Sequence, residues 1–398
     1  MSDGSSQAEM IREPKRCTNG AEAETRTDSR DGYPHAVRAA LLRAVGEPMT
    51  IETIHLKAVE PGDVRVRIEQ TGVCHSDLSL ATGKLAQNLP AVLGHEACGT
   101  VVETGTGVTD LAVGQRVILL WITPCRTCFA CTHDQPHLCE TGSSRSTQPY
   151  ALTESGEPVY PGLTVGSFAE QTVLPRGAVV GVPDDITTAD AALLGCAVTT
   201  GVGAAIHTAH VTPESSVLVI GLGGVGLSVL QGARIAGAST IIAVDRNPDK
   251  ADQALAAGAT HFVPADDQTK KAVRGLTDKR GADFGFDCVG APPTIRDAWS
   301  LTRRGGSVTL VGIGGKDDTV PFSALELFHF ARTLRGCVAG SVDAEADLPQ
   351  FFDWVRSGQL GLRGLVTGHG VLTDVNHALD ELAAGRGVRT LLEPGGSS

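Results

Sequence analysis

The sequence predicts an α/β protein built from a doubly wound parallel-sheet unit and a second, β-rich unit. Three observations carry that expectation. The run Gly221-Leu-Gly-Gly-Val-Gly226 lies between a strand-like and a helix-like segment. From there strands and helices alternate, which is the pattern of a parallel sheet covered on both faces. Ahead of it, short apolar runs are punctuated by Gly and Pro, as in a compact β-rich domain.

Taken in order, residues 1–36 are rich in Ser, Glu, Asp, Arg and Gly and are expected to form a disordered tail, with folding from about Val37. An alternative is that the chain's true start lies near that point. Strands are expected over 64–70, 97–103 and 116–121. The texture changes near Pro213. Residues 216–221 read as a buried strand, 226–236 as a helix and 240–244 as a strand. A helix over 249–257 follows, then strands over 262–264, 284–288 and 309–312. Helices are expected at 348–356 and 374–384. These segments divide the chain into a tail (1–36), a catalytic unit (37–197 with 339–398) and a cofactor unit (198–338).

Composition excludes several classes of function. Of 398 residues, 41% are apolar and 20% charged, which is ordinary for a globular chain with two cores. The net charge of −12, with no large basic cluster, argues against a nucleic-acid partner. The longest apolar runs, such as 216–222, are strand-length, so no membrane span is expected. The N-terminus lacks the apolar core of a secretory signal, and a cytoplasmic location is expected. Cysteines held by metal suit that compartment.

The cysteines form two patterns. Cys125, Cys128, Cys131 and Cys139 follow C-x2-C-x2-C-x7-C. Four thiolates so close in sequence can converge on one tetrahedral ion, a closed structural zinc site; the competing reading is a disulfide-bonded loop. Cys74, His95 and Cys196 are dispersed, and together they make the three-ligand set of a catalytic zinc with its fourth position open. Cys17, Cys98, Cys288 and Cys337 remain, the first in the tail and the others read as small buried hydrophobes.

Gly221, Gly223 and Gly226 fit G-x-G-x-x-G, with Gly224 and Val225 between them, at a strand-to-helix turn. The first glycine makes the turn, the second lets backbone approach a pyrophosphate, and the third lets helix pack on strand. This is the Rossmann fingerprint. Asp245, ending the next strand, would accept hydrogen bonds from ribose hydroxyls and repel a 2′-phosphate, which favours NAD. Arg246 beside it could accommodate that phosphate.

Together these motifs resemble the zinc-dependent alcohol dehydrogenases of the medium-chain dehydrogenase/reductase superfamily. The supporting segments are Gly-Val-Cys-His-Ser-Asp (72–77), Gly-His-Glu (94–96), the four-cysteine lobe, Gly-Cys-Ala-Val-Thr-Thr-Gly (195–201) and the glycine loop. The resemblance covers the chain from about Val37 to Pro394. It implies that the β-rich unit is GroES-like, with two zinc ions and NAD bound. Cys74, His95 and Cys196 are then the catalytic zinc ligands, and Glu96 an acid near the metal and an alternate ligand. Asp77 would orient His95. His75 and Arg389 would touch the cofactor pyrophosphate, Thr200 and Val225 would line the nicotinamide, and Lys250 would partner the adenosine ribose. Ser76 would take the substrate proton and Trp121 would line the substrate pocket.

Two departures shape the functional expectation. A histidine that ends the proton relay in several members is Ser79 here. The aspartate and arginine that bind glutathione carboxylates in the formaldehyde dehydrogenase branch are Leu85 and Ser143, with Arg145 close by. The expected reaction is NAD-dependent oxidation of a primary aliphatic, allylic or benzylic alcohol to the aldehyde or ketone, and its reverse. The alternatives are a thiol-adduct formaldehyde dehydrogenase, a relative that holds NAD without releasing it, or a non-catalytic nucleotide-binding relative. A homodimer joined through the cofactor units is expected from the family and from the loop retained between Cys139 and Phe168.

Overall fold

The computed structural model describes residues 32–396. The first 31 residues, with Cys17 and most of the expected tail, lie outside the described residues. Regular structure begins slightly earlier than the sequence suggests. The strand His35–Leu42 runs antiparallel to Thr50–Leu56, pairing His35 with Leu56 and Ala36 with His55.

Residues before 182 form two β layers. A closed barrel joins His35–Leu42, Thr50–Leu56, Ala151–Thr153, Pro158–Pro161 and Ala91–Val92. A seven-stranded sheet is centred on Asp63–Gly72 and Glu96–Thr104, with Arg116–Leu119 and Val179–Gly181 beyond them. The C-terminal strand Arg389–Glu393 returns to this sheet beside Asp63–Gly72. That return brings Arg389 to the level of Cys74.

The second unit is a six-stranded sheet whose pairs are all parallel. Its order is His261–Pro264, Thr240–Asp245, Ser216–Ile220, Ala282–Asp287, Thr302–Leu310 and Thr333–Gly336. Numbered along the chain, this is 3-2-1-4-5-6, the doubly wound arrangement that opens a crevice at the carboxyl ends of strands 1 and 4. The strands Val217–Ile220 and Ile241–Val244 are continuous apolar runs buried on both faces, as covered parallel strands require. The helices Thr269–Leu276, Pro292–Leu301 and Ala324–Phe330 and the edge strand Thr333–Gly336 carried no sequence expectation.

One apolar core runs from Cys98, Ile118 and Leu120 in the seven-stranded sheet, through Val198 and Val202, to Val217, Val219 and Leu227 in the parallel sheet. The helix Ala197–Gly203 is the middle of that path, and Cys196 sits at its N-cap. The metal-ligand candidate is therefore fixed by packing from both sides. Among the described residues, no helix is long and apolar enough to cross a membrane.

Candidate active site and metal sites

Three separate segments deliver Cys74, His95 and Cys196. Cys74 caps the short helix His75–Ala81, His95 precedes the strand Glu96–Thr104, and Cys196 precedes the helix Ala197–Gly203. Their ligand atoms all lie within 4.8 Å of one another, and all three residues are buried.

Asp77 holds this arrangement. One carboxylate oxygen accepts from His95 Nδ1 at 3.0 Å and from the Gly94 N–H at 3.0 Å. The other accepts from the Cys74 N–H at 3.0 Å. With Nδ1 donating to Asp77, the lone pair of His95 sits on Nε2, which is buried and has no partner among the described residues. Such an orphaned acceptor beside two thiols fits a zinc ion. The hydrogen bond from Cys196 holds the Cys74 thiol well below the ordinary thiol range against its burial, and the Arg389 guanidinium adds to the effect. Cys74 in turn raises the Cys196 thiol, and burial adds to that. Ser76 Oγ lies 3.9 Å from Cys74 Sγ.

Glu96 departs from its expected place as an alternate ligand. It is not part of the ligand cluster. Arg389 Nε donates to one carboxylate oxygen at 2.9 Å, and the Ala197 N–H donates to the other at 3.1 Å. A second guanidinium nitrogen of Arg389 lies 3.3 Å from Cys74 Sγ. Both partners are nearly inaccessible, so removing either would strand a buried charge. Arg389 also packs on the glycine loop, where a Cβ at Gly224 would be 3.1 Å from its guanidinium carbon. It thus spans the metal cluster and the nucleotide loop.

The loop has the geometry that its glycines require. Gly221 has φ +90°, a left-handed conformation, and a Cβ on Gly226 would overlap the Gly221 carbonyl oxygen. The helix Gly224–Ile235 starts there, with free N–H groups suited to phosphate. Asp245 is 8% exposed and accepts from the N–H groups of Leu222 at 2.7 Å and Asn247 at 2.9 Å. Lys250 Nζ approaches it at 3.4 Å, while Arg246 is exposed. The His75 imidazole, exposed at its outer edge, is held below its ordinary range by desolvation from the groups packed around it and then by the charges of Arg389, Lys250 and Lys84, against the Cys74 thiolate. Thr200 is buried in the helix Ala197–Gly203, and Val225 is half-buried at the start of Gly224–Ile235.

Cys125, Cys128, Cys131 and Cys139 bring their sulfurs within 4.8 Å of one another. All four are free thiols, so the disulfide alternative does not hold. Cys128 and Cys139 Sγ are 3.9 Å apart, close to the edge of about 3.8 Å expected of a tetrahedron with ~2.3 Å arms to zinc. The N–H groups of Thr127 and Cys128 point at Cys125 Sγ and hold that thiol down to about 5, as a thiolate ligand requires.

A cavity of about 270 Å³ lies among residues of the seven-stranded sheet, the four-cysteine lobe and the segment 339–345, and none of Cys74, His95 and Cys196 lines it. Trp121, Gly195 and Thr199 are among its lining residues, and Thr199 Oγ1 donates to the Cys196 carbonyl at 3.0 Å. Leu120, Val179 and Val342 add apolar wall. His137 lines it as well, with a buried Nδ1 that lacks a partner among the described residues. No sequence spacing pointed to His137. A larger groove of about 500 Å³, lined by Gln231 and Leu360, touches none of the ligand candidates. Arg145 is engaged elsewhere. It donates to the carbonyls of Thr164 and Val173 and lies over the Tyr150 ring. Leu85 packs on the barrel core, and Ser143 is exposed.

The comparisons with known proteins agree with this geometry. Residues 60–184 match the alcohol dehydrogenase GroES-like domain, and residues 224–357 match the zinc-binding dehydrogenase family. The chain is 35% identical over 376 residues to an S-(hydroxymethyl)glutathione dehydrogenase of Paracoccus denitrificans, covering 89% of this chain and 99% of that protein. A crystal structure of an alcohol dehydrogenase zinc-binding domain protein from Burkholderia ambifaria superposes with TM-score 0.86 at 30% identity, covering 91% of this chain and 100% of that one. Benzyl alcohol dehydrogenase from Acinetobacter calcoaceticus gives TM-score 0.84 at 28% identity, over 90% and 99% of the two chains. The fold and the sites define a zinc-binding oxidoreductase with a nicotinamide cofactor. The chain belongs to the zinc-dependent alcohol dehydrogenase family of the medium-chain dehydrogenase/reductase superfamily.

Proposed function

We propose that the chain oxidises a primary alcohol, R–CH2OH, to the aldehyde with NAD, and that R is an apolar or aromatic body. The choice of R rests on Trp121, which the family resemblance places beside the reacting carbon and which packs with the apolar core of the seven-stranded sheet. The assigned division has residues 37–197 with 339–398 as the catalytic unit and 198–338 as the cofactor unit, with the substrate between them.

Zinc held by Cys74, His95 and Cys196 supplies Lewis acidity towards the alcohol oxygen, and NAD supplies the hydride acceptor. The remaining roles belong to this chain. Asp77 keeps His95 in the tautomer that presents Nε2. Ser76 Oγ takes the hydroxyl proton and passes it towards the cofactor ribose, since Ser79 offers no imidazole to end a longer relay. Arg389 and His75 bind pyrophosphate, and Asp245 with Lys250 binds the adenosine ribose. Thr200 and Val225 position the nicotinamide. Burial of the cluster excludes water while the two carbons are in contact.

A second reading, an S-hydroxymethyl thiol adduct as substrate, is favoured by the name of the 35% identical relative. The chemistry is shared, because such an adduct also presents a –CH2OH group. Against glutathione itself stand Leu85, Ser143 and the engaged Arg145, which leave its carboxylates without a cation at those positions. Steady-state kinetics with NAD would separate the readings. The panel holds straight-chain, branched, benzylic and allylic alcohols, and formaldehyde with and without glutathione. The first reading predicts the highest specificity constant for a primary apolar alcohol. A tenfold advantage for formaldehyde plus thiol, or for secondary alcohols, defeats it.

The assembly proposed is a homodimer through the cofactor units. The edge strand Thr333–Gly336 and the helix Ala324–Phe330 place Leu325, Leu327 and Phe328 at 73%, 45% and 84% exposure on one side of that unit. An exposed apolar surface next to a sheet edge is a site for association. Light scattering that gave a monomer or a tetramer would defeat this assignment.

A further inference from the structure

Glu96 touches the segments that carry all three ligand candidates of the dispersed cluster. It follows His95 directly in the chain. In the strand pairing it lies opposite Gly72, two residues before Cys74, where an added Cβ would overlap its Oε1. Its Oε2 accepts the N–H of Ala197, the residue after Cys196, at 3.1 Å. Arg389 joins this hub from the C-terminal strand. Its guanidinium donates to the two Glu96 oxygens at 2.9 and 3.3 Å and to Cys74 Sγ at 3.3 Å. The backbones are tied as well, because the Val73 N–H donates to the Thr390 carbonyl at 3.0 Å.

Arg389 also meets the glycine loop. It packs on Gly224, the first residue of the helix Gly224–Ile235. A cation at a helix N-terminus faces the like-signed end of the helix dipole. The Glu96 carboxylate and the Cys74 sulfur offset that arrangement, and the ion pair is almost fully buried. A phosphate at the same helix end offsets both the dipole and the cation. The guanidinium then divides its hydrogen bonds among more acceptors. A hydrogen bond to a ligand sulfur draws electron density away from the metal bond, so a weaker bond to Cys74 leaves a stronger ligand.

We propose that Arg389, fixed by Glu96, couples the nucleotide loop to the zinc site: a pyrophosphate bound at the loop tightens zinc at Cys74, His95 and Cys196, and zinc tightens the pyrophosphate in return. The proposal rests on the reading of the glycine loop and Arg389 as the pyrophosphate site. The reciprocity follows from linkage, since one coupling free energy serves both ligands. Towards the zinc Arg389 is a positioning residue, because it acts through a ligand sulfur. The consequence is that a chain without nucleotide gives up its catalytic zinc more readily than a chain that has bound it.

ADP is the probe, because it carries a pyrophosphate and no nicotinamide that could approach the zinc. Zinc release to a chromophoric chelator is followed with and without saturating ADP, whose binding is measured by calorimetry. Cys196→Ala, which keeps only the lobe zinc, gives the reference rate for that ion. In the wild-type protein ADP slows release of the other zinc by about tenfold and leaves the lobe zinc unaffected. By reciprocity, ADP binds Cys196→Ala about tenfold more weakly than the wild-type protein. The double variant Glu96→Gln/Arg389→Gln leaves no buried charge unpaired, and in it saturating ADP changes zinc release by less than about twofold. A wild-type release rate unchanged by bound ADP overturns the coupling and spares the pyrophosphate reading. The same slowing in the double variant also overturns it, since ADP would then only shield the ion. If the double variant does not fold, the comparison of ADP affinities decides, and equal affinity for wild-type and Cys196→Ala proteins overturns the coupling. Failure of ADP to bind the wild-type protein overturns the reading of the loop and the coupling with it.

Discussion

The two cysteine clusters differ in how the chain makes them. The four-cysteine lobe is local: its ligands fall between residues 125 and 139, on a four-residue helix and tight turns, and all are partly exposed. The cluster of Cys74, His95 and Cys196 is assembled across 122 positions, from a helix cap, a strand end and a hinge between two sheets, and is buried. In the first case the ion would hold the loop, which buries little beyond Ala130 and Pro136. In the second the fold holds the ligands, and the ion is free to serve chemistry.

The largest expected effect follows from that contrast. Cys196→Ala should reduce turnover by roughly a thousandfold or more, because zinc chemistry of several kcal/mol is removed. Its thermal midpoint should stay near the wild-type value, since the surrounding core of Val198, Val202 and Leu227 remains. A fold that collapses with this substitution would break the comparison. Cys128→Ala should do the reverse. Soluble yield should drop and the midpoint fall by about 5 °C or more, while the molecules that remain folded keep most of their turnover with short alcohols. Normal folding of this variant would remove the structural role from the lobe.

Asp77→Asn sharpens the account of how the fold presets its ligands. The amide can no longer serve the ring N–H and both backbone donors with full charge, and activity or metal affinity should fall by about 10- to 100-fold. Equal activity in the two proteins would show that His95 is oriented by packing alone. The smallest effect is expected at Trp121. Trp121→Ala should shift preference towards bulkier alcohols by about tenfold, the size of discrimination that an apolar pocket gives. No shift in specificity constants would exclude the residue from the pocket.

The same contrast explains what the sequence made legible. The lobe could be read from spacing because its geometry is local. The glycine loop was equally open, since Gly221, Gly226 and Asp245 each answer to a backbone constraint within one strand–turn–helix–strand unit. The dispersed cluster was read through the motifs around each ligand. Side-chain pairings over long separations were not legible. Glu96 points to Arg389, 293 positions away, rather than to the ligand cluster, and Arg126 reaches Asp343 across 217 positions. Arg145 gives no hint in its neighbours that it is committed to Thr164 and Val173. The helices Thr269–Leu276 and Pro292–Leu301 went unread although Ile295, Ala298 and Trp299 recur at helical spacing behind a proline start, because each is short and its apolar residues are few. The early strand residues His35 and Ala36 look like tail because their partners, Leu56 and His55, lie in another strand.

The central claim is that two zinc ions sit in two independent sites, one made by the fold and one that makes a loop. Metal analysis of the purified wild-type chain, Cys196→Ala and Cys128→Ala tests it directly. The account predicts about two zinc ions per wild-type chain and about one in each variant that remains folded, with turnover lost only where Cys196 is replaced. A single zinc in the wild-type chain, or loss of both ions from either folded variant, would contradict it.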